Sequence, residues 1–133
     1  MALQDEIATC IGKDIGREGI FAFFSEINPV LGKIDDVLHH LKEWMAPQSV
    51  ESTLSIAPAK CYTKAEPLGV VLVLGTWNFP FNLSIGPLIT AIAAGNCCLV
   101  KPSELAPFTS ELIVKLIENY LDQSCYKVIQ GQT

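Results

Sequence analysis

Two stretches decide the fold: Gly69-Val70-Val71-Leu72-Val73-Leu74-Gly75 and Gly95-Asn96-Cys97-Cys98-Leu99-Val100-Lys101. Each holds an unalternated apolar run, entered from a glycine turn and left through a glycine or a single charge. That is the pattern of a parallel strand buried on both faces. Between them, Leu83 to Ala94 reads as a helix, with Gly95-Asn96 as its stop. Beyond them, Pro107 to Leu121 reads as a second helix and Tyr126 to Ile129 as a third strand. The unit is βαβαβ, which places the chain in the α/β class as a doubly wound parallel sheet with helices on both faces. Three such strands leave apolar face and edge bare unless further chain or a second subunit covers them, so the sequence is expected to be incomplete.

Upstream, apolar residues recur at helical spacing from Asp5 to about Lys13 and from Gly19 to about Ala46, where Ile20, Phe23, Phe24 and Ile27 are followed by Val30, Leu31, Ile34, Val37, Leu38, Leu41 and Met45. Two or three amphipathic helices are predicted, ended by Pro47. Gln48 to Glu66 carries Pro58 and many Ser, Thr and Ala residues, and reads as a loop or a pair of extended segments. Charge divides the chain near Pro67: sixteen charged side chains precede it and seven follow. The second part therefore reads as interior and the first as its cladding.

Composition excludes several function classes. The 133 residues are half hydrophobic with 17% charged and a mean hydropathy of +0.35, outside the disordered range. A net charge of −5, with its nine basic residues scattered singly, opposes a nucleic-acid or anionic-membrane surface. Apolar stretches break before the ~20 residues a spanning helix needs, and Asp5, Glu6 and Lys13 spoil a signal-peptide reading of the start. The expected location is the cytoplasm, which leaves the acceptor triplet Asn82-Leu83-Ser84 idle. Cys10, Cys61, Cys97, Cys98 and Cys125 are odd in number and lack CxxC spacing, so they read as reduced thiols. Asp35, Asp36, His39, His40 and Glu43 share helical spacing nominally compatible with a metal, but a solvated helix face is the better reading and no metal is implied.

Ligands of open α/β sheets sit beyond the carboxyl ends of the strands. Both places are chemically loaded, with Gly75-Thr76-Trp77-Asn78-Phe79-Pro80-Phe81 after the first strand and Lys101-Pro102-Ser103-Glu104 after the second. Neither a G-x-G-x-x-G turn nor a G-x-x-x-x-G-K-[ST] loop is present.

Glu66-Pro67-Leu68-Gly69-Val70-Val71, Gly75-Thr76-Trp77-Asn78-Phe79-Pro80, Ala93-Ala94-Gly95-Asn96 and Lys101-Pro102-Ser103-Glu104 resemble, in order and spacing, the aldehyde dehydrogenase superfamily. The likeness is strongest over residues 66–131. It is nearest to the branch that oxidises fatty and aromatic aldehydes, with Glu43-Trp44 and Tyr120-Leu121-Asp122 in support.

The resemblance implies a Rossmann-like NAD(P)-binding domain, of which residues 67–133 are the first part, 48–66 an extended connector and 1–47 helices packing on that domain. It implies NAD(P)-dependent oxidation of aldehydes to carboxylic acids by an oligomer, a dimer for this branch. Asn78 matches the side-chain amide that donates to the oxyanion formed when a thiolate attacks the aldehyde, where one preorganised donor is worth roughly 3–4 kcal/mol of barrier. The competing reading of Asn78 is a helix cap or turn residue.

Lys101 and Glu104 resemble the pair that holds the adenosine ribose, against snorkelling for the lysine and a favourable helix-start charge for the glutamate. Glu104 near a ribose would repel a 2′-phosphate, which favours NAD over NADP. Thr76 and Trp77 would line the cofactor groove, and Pro102 and Ser103 complete the second turn beside it. The resemblance also implies that nucleophile, base and nicotinamide-side glycine turn lie beyond Thr133, together with any C-terminal membrane anchor. The chain alone is then expected to be inactive. Cys97 and Cys98 begin an apolar strand with no nearby activating group, and are not taken as the nucleophile. The alternative is a noncatalytic protein that binds nucleotide weakly or pairs with a full-length subunit.

Overall fold

The computed structural model describes residues 3–131. Helix α1 (Leu3–Ile15) is followed by α2 (Gly19–Ala22), a π-helical turn (Phe23–Ile27) and α3 (Asn28–Trp44). A hairpin of β1 (Gln48–Val50) and β2 (Cys61–Thr63) is interrupted by a 3-10 turn at Leu54–Ile56. Then come β3 (Val70–Leu74), α4 (Asn82–Ala93), β4 (Cys97–Lys101), α5 (Pro107–Tyr120) and β5 (Tyr126–Val128). The three strands pair in parallel in the order β3, β4, β5, giving the Rossmann-like βαβαβ sheet expected from the sequence. Among the described residues no helix is long and apolar enough to cross a membrane.

Register sorts the sheet into two unlike faces. Val71 and Val73 lie beside Cys98 and Val100, which lie beside Tyr126 and Val128, and all six belong to one core with Leu88, Ala91, Leu112, Ile113 and Ile117 of the helices. The other face carries Val70, Leu72 and Leu74, which are 77%, 57% and 63% exposed. The expectation of helices on both faces, and of strands buried on both, is therefore met on one face only within the described residues. The reason lies in the strand order: strands added successively in one direction with the same crossover hand put α4 and α5 on the same side.

Helix α4 ends in a Schellman motif. Asn96 N–H donates to Ala91 O (3.0 Å), Gly95 N–H donates to Ile92 O (2.9 Å), and Gly95 adopts φ +77°, open without strain only to glycine. The same Asn96 turns its Oδ1 to Gly69 N–H (2.9 Å), tying the start of β3 to the start of β4.

The helical pattern expected from Gly19 to about Ala46 is present to Trp44, broken by one π turn. Pro29 accounts for it. Lacking an N–H and crowding the carbonyl four residues back, proline disturbs a regular ladder, and a π turn is one way of absorbing that. The carbonyl four residues back, Ser25 O, instead accepts from Asn82 Nδ2 (3.4 Å). The stretch 48–66 forms the two extended segments allowed by the sequence, paired with each other and largely exposed.

Candidate active site

The carboxyl ends of β3 and β4 are held together at one glycine. Gly75 N–H donates to Lys101 O (2.8 Å), and a Cβ at Gly75 would run into Ser84 Oγ and lie 3.2 Å from Pro102 Cα. Ser84 Oγ donates to Pro80 O (2.7 Å), and Pro80, Phe81 and Pro102 are buried. The two turns after the strands thus pack against each other through small or cyclic residues.

On this base Thr76, Trp77 and Asn78 stand exposed. Helix α4 begins after Phe81 without any side-chain cap from its own turn. The Asn78 amide makes no hydrogen bond to the described residues, so the capping alternative is not what the structure has. In the second turn Lys101 Nζ donates to Glu104 Oε2 (2.8 Å), and this hydrogen bond is the main reason the Glu104 carboxyl lies below its ordinary range. Ser103 is buried and its Oγ accepts from Leu105 N–H (3.2 Å), so its hydroxyl serves its own turn. The Pro102 backbone lies against Gly75.

Beyond β4 and β5 a cleft of about 200 Å³ is lined by Pro102, Glu104, Pro107, Ser110 and Gln130, with Gln130 Nε2 donating to Ser110 Oγ (2.9 Å). A larger cleft of about 460 Å³, between α3 and α4 at Lys33, Trp44, Pro67 and Gly95, adjoins the amino ends of the strands. In an open α/β sheet that is the wrong end for ligand, and its greater size does not make it the site.

Both crossover helices begin on carboxylates supplied from far upstream. Glu26 Oε2 accepts from Asn82 N–H (2.9 Å) at the start of α4, and Asp14 accepts from Phe108 N–H (3.1 Å) and Thr109 N–H (2.7 Å) at the start of α5. A helix start already holding a carboxylate offers no place for a phosphate. The missing glycine fingerprint and the occupied helix starts are therefore two aspects of one arrangement. Glu26, Arg17 and Asp14 were not foreseen from the sequence, since a single acid on a helix carries no sign of a partner more than fifty residues away.

The two thiols of β4 are shifted away from the thiolate form. Burial raises Cys98, which is 2% exposed, and hydrogen bonding to Cys125 followed by burial raises Cys97. His39 and His40 lie on the exposed flank of α3, where Nδ1 of each approaches the carbonyl of Asp35 (2.6 Å) and Asp36 (2.9 Å) respectively. Among the described residues no group of three acidic, His or Cys side chains could hold a metal ion.

The pattern that defines the aldehyde dehydrogenase family matches residues 1–133. The chain is 44% identical over 128 residues to aldehyde dehydrogenase family 3 member H1 of Arabidopsis thaliana, covering 96% of this chain and 26% of that protein. It is 40% identical over 128 residues to the dimeric NADP-preferring aldehyde dehydrogenase of Canis lupus familiaris, covering 96% of this chain and 28% of that one. A solved structure, the substrate-bound state of Staphylococcus aureus AldH, superposes with a TM-score of 0.92 at 38% identity over 96% of this chain and 28% of that chain. The chain thus spans about a quarter of the length of the relatives it matches. With the βαβαβ sheet, the two loaded turns and these matches together, the chain belongs to the aldehyde dehydrogenase family.

Proposed function

We propose that this chain supplies the first part of the nucleotide-binding domain of an NAD(P)-dependent aldehyde dehydrogenase that oxidises aldehydes to carboxylic acids. The observation that carries the reading is the Asn78 amide, exposed and unpaired among the described residues at the carboxyl end of β3, on a turn whose next three residues are packed or partly buried. A free amide donor on a rigid base is what a developing oxyanion requires, because no reorganisation is needed when charge appears.

Lys101 and Glu104 are the pair we assign to the adenosine ribose, with Thr76, Trp77, Pro102 and Ser103 shaping the groove between the turns. Half-buried Lys101 and exposed Glu104 can donate and accept, whereas Ser103 and Pro102 act through the loop they hold. A nucleotide held by these residues would supply the hydride acceptor for aldehyde oxidation. A negative Glu104 disfavours a 2′-phosphate, so NAD is the favoured cofactor, although Lys101 at 2.8 Å offsets part of that charge. By itself the chain turns over nothing, because the Cys97 and Cys98 thiols are shifted away from the nucleophilic thiolate and an oxyanion donor without a nucleophile has nothing to stabilise.

The bare sheet face at Val70, Leu72 and Leu74 favours a second reading, in which the chain is noncatalytic and pairs with a full-length subunit or binds nucleotide weakly. One experiment separates the two. An antibody against residues 66–131 captures the native polypeptide, whose mass and aldehyde-dependent NAD(P)H formation are measured, with Asn78→Ala introduced at the native locus. Activity in a band several times 14.5 kDa, falling about 100- to 1,000-fold in the variant, is expected. An inactive band near 14.5 kDa that co-precipitates a longer dehydrogenase selects the second reading.

A further inference from the structure

Glu26 is the most completely buried acid among the described residues, at 0% exposure, and it sits within the π turn between α2 and α3. A π turn adds a residue to the helix and redirects a side chain. Here the carboxyl reaches the turn that leads from Asn78 into α4. One oxygen accepts from Asn82 N–H (2.9 Å), and the other accepts from Arg17 Nη1 (2.9 Å). The Arg17 guanidinium lies over the Phe79 ring, 4.5 Å from its centroid. Asn82 Nδ2 closes the set on Ser25 O (3.4 Å), one residue before Glu26.

These contacts bracket Asn78 without touching it. Phe79 follows it directly in sequence, Asn82 is four residues on, and both are fastened to one upstream ion pair. We propose that Glu26 and Arg17 form a positioning pair for Asn78, clamping Phe79 and the start of α4 so that the Asn78 amide is presented in one orientation at the end of β3. The inference deepens the reading of Asn78 as oxyanion donor and rests on it for its functional meaning.

The energetics fit positioning better than stabilisation. Burying an ion pair costs desolvation that its attraction barely offsets, so such a pair adds little net stability, while its directional hydrogen bonds allow one geometry. Asp14 provides an internal comparison. It caps α5 in the same manner but is coupled to Phe108 and Thr109, away from the Asn78 turn.

The test uses the full chain with Trp44→Phe, so that Trp77, the neighbour of Asn78, is the sole tryptophan. Acrylamide quenching of Trp77 and the side-chain amide resonances of Asn78 are compared in Glu26→Gln, Arg17→Lys and, as the control, Asp14→Ala. Glu26→Gln and Arg17→Lys are expected to shift or broaden the Asn78 resonances and to raise quenching about twofold, as a locally released turn should. Asp14→Ala is expected to lower the melting temperature and leave both signals in place. If the Asn78 and Trp77 signals of Arg17→Lys and Glu26→Gln overlay the parent, the clamp is overturned. Should Glu26→Gln fail to fold, Arg17→Lys decides alone, because that side chain is partly exposed and keeps its charge. No nucleotide or aldehyde is present, so failure of the oxyanion role and failure of the clamp are separate results.

Discussion

Asp14 and Thr109, ninety-five residues apart, are joined by a 2.7 Å hydrogen bond from the Thr109 N–H to the Asp14 carboxylate, whose other oxygen takes the Phe108 N–H at 3.1 Å. Helix α5 has no side-chain cap from its own sequence, and Pro107 at its start leaves only the next amides to be satisfied. The end of α1 supplies what local sequence does not. Asp14→Ala is expected to cost about 1–2 kcal/mol by urea denaturation, the usual scale of a lost cap. Asp14→Asn should recover much of it, since an amide oxygen still accepts. Equal stability of Asp14→Ala and the parent would show that these bonds contribute nothing net.

The hydroxyl of the same Thr109 is buried without a hydrogen-bond partner. Thr109→Val removes that unsatisfied group at nearly constant shape while keeping the backbone N–H that Asp14 needs. A gain of about 0.5–1 kcal/mol in thermal or urea unfolding is expected, within the range of a buried polar group left unpaired. A loss of stability would mean that the hydroxyl has a partner in solution.

Gly75 joins the two loaded turns, and the contacts a Cβ would make there are with Ser84 Oγ and the Pro102 backbone. Gly75→Ala should destabilise by about 1–3 kcal/mol, as overpacking does. Adding Ser84→Ala should return part of that loss, because the nearer obstacle is then removed. A double variant no better than the single would place the strain on Pro102 instead.

Burial lifts the Glu26 pKa above its ordinary range, while the Asn82 amide, Arg17 and the Phe81 amide pull the other way. The folded chain therefore holds this proton more tightly than the unfolded chain. That contribution to stability is complete below the unfolded carboxyl pKa, roughly 4.3, and is lost as pH rises through the higher folded value. Parent stability minus that of Glu26→Gln, measured by urea unfolding at successive pH values, should accordingly fall with rising pH across that window. A difference that rises with pH would reverse the sign of the shift.

Glu104 is the residue on which cofactor choice should turn. Glu104→Gln removes the charge opposed to a 2′-phosphate and frees Lys101 from its 2.8 Å partner. The ratio of NADP to NAD affinity, measured by calorimetry on the nucleotide-binding form, is expected to rise several-fold. An unchanged ratio would remove Glu104 from the ribose.

Much of the sheet was legible because its signals are local. The apolar run Val70 to Leu74 coincides with the strand residue for residue, those of the other two strands to within one residue, and Gly95-Asn96 marks the end of α4, since a left-handed turn accepts glycine almost alone. The two turns of the site were legible as motifs. Their internal division was not: Lys101 and Glu104 are exposed enough to meet a ligand while Ser103 is spent on its own turn, and no feature of the tetrapeptide distinguishes them.

Sequence alone determined the order of elements, the family and the residues at the strand ends, because apolar runs, glycine turns and short motifs act over a few residues. Tertiary structure alone decided that one sheet face is bare, that Glu26 and Asp14 cap helices in the second half of the chain, and that Phe79 and Asn82, on the turn after Asn78, meet Arg17 and Glu26. Each of these depends on groups 56 to 95 residues apart meeting, or on which side successive crossovers fall. A buried acid looks like any other helix acid until its distant partner is in place, because what stabilises it is the geometry of the partner and not its own neighbours in sequence.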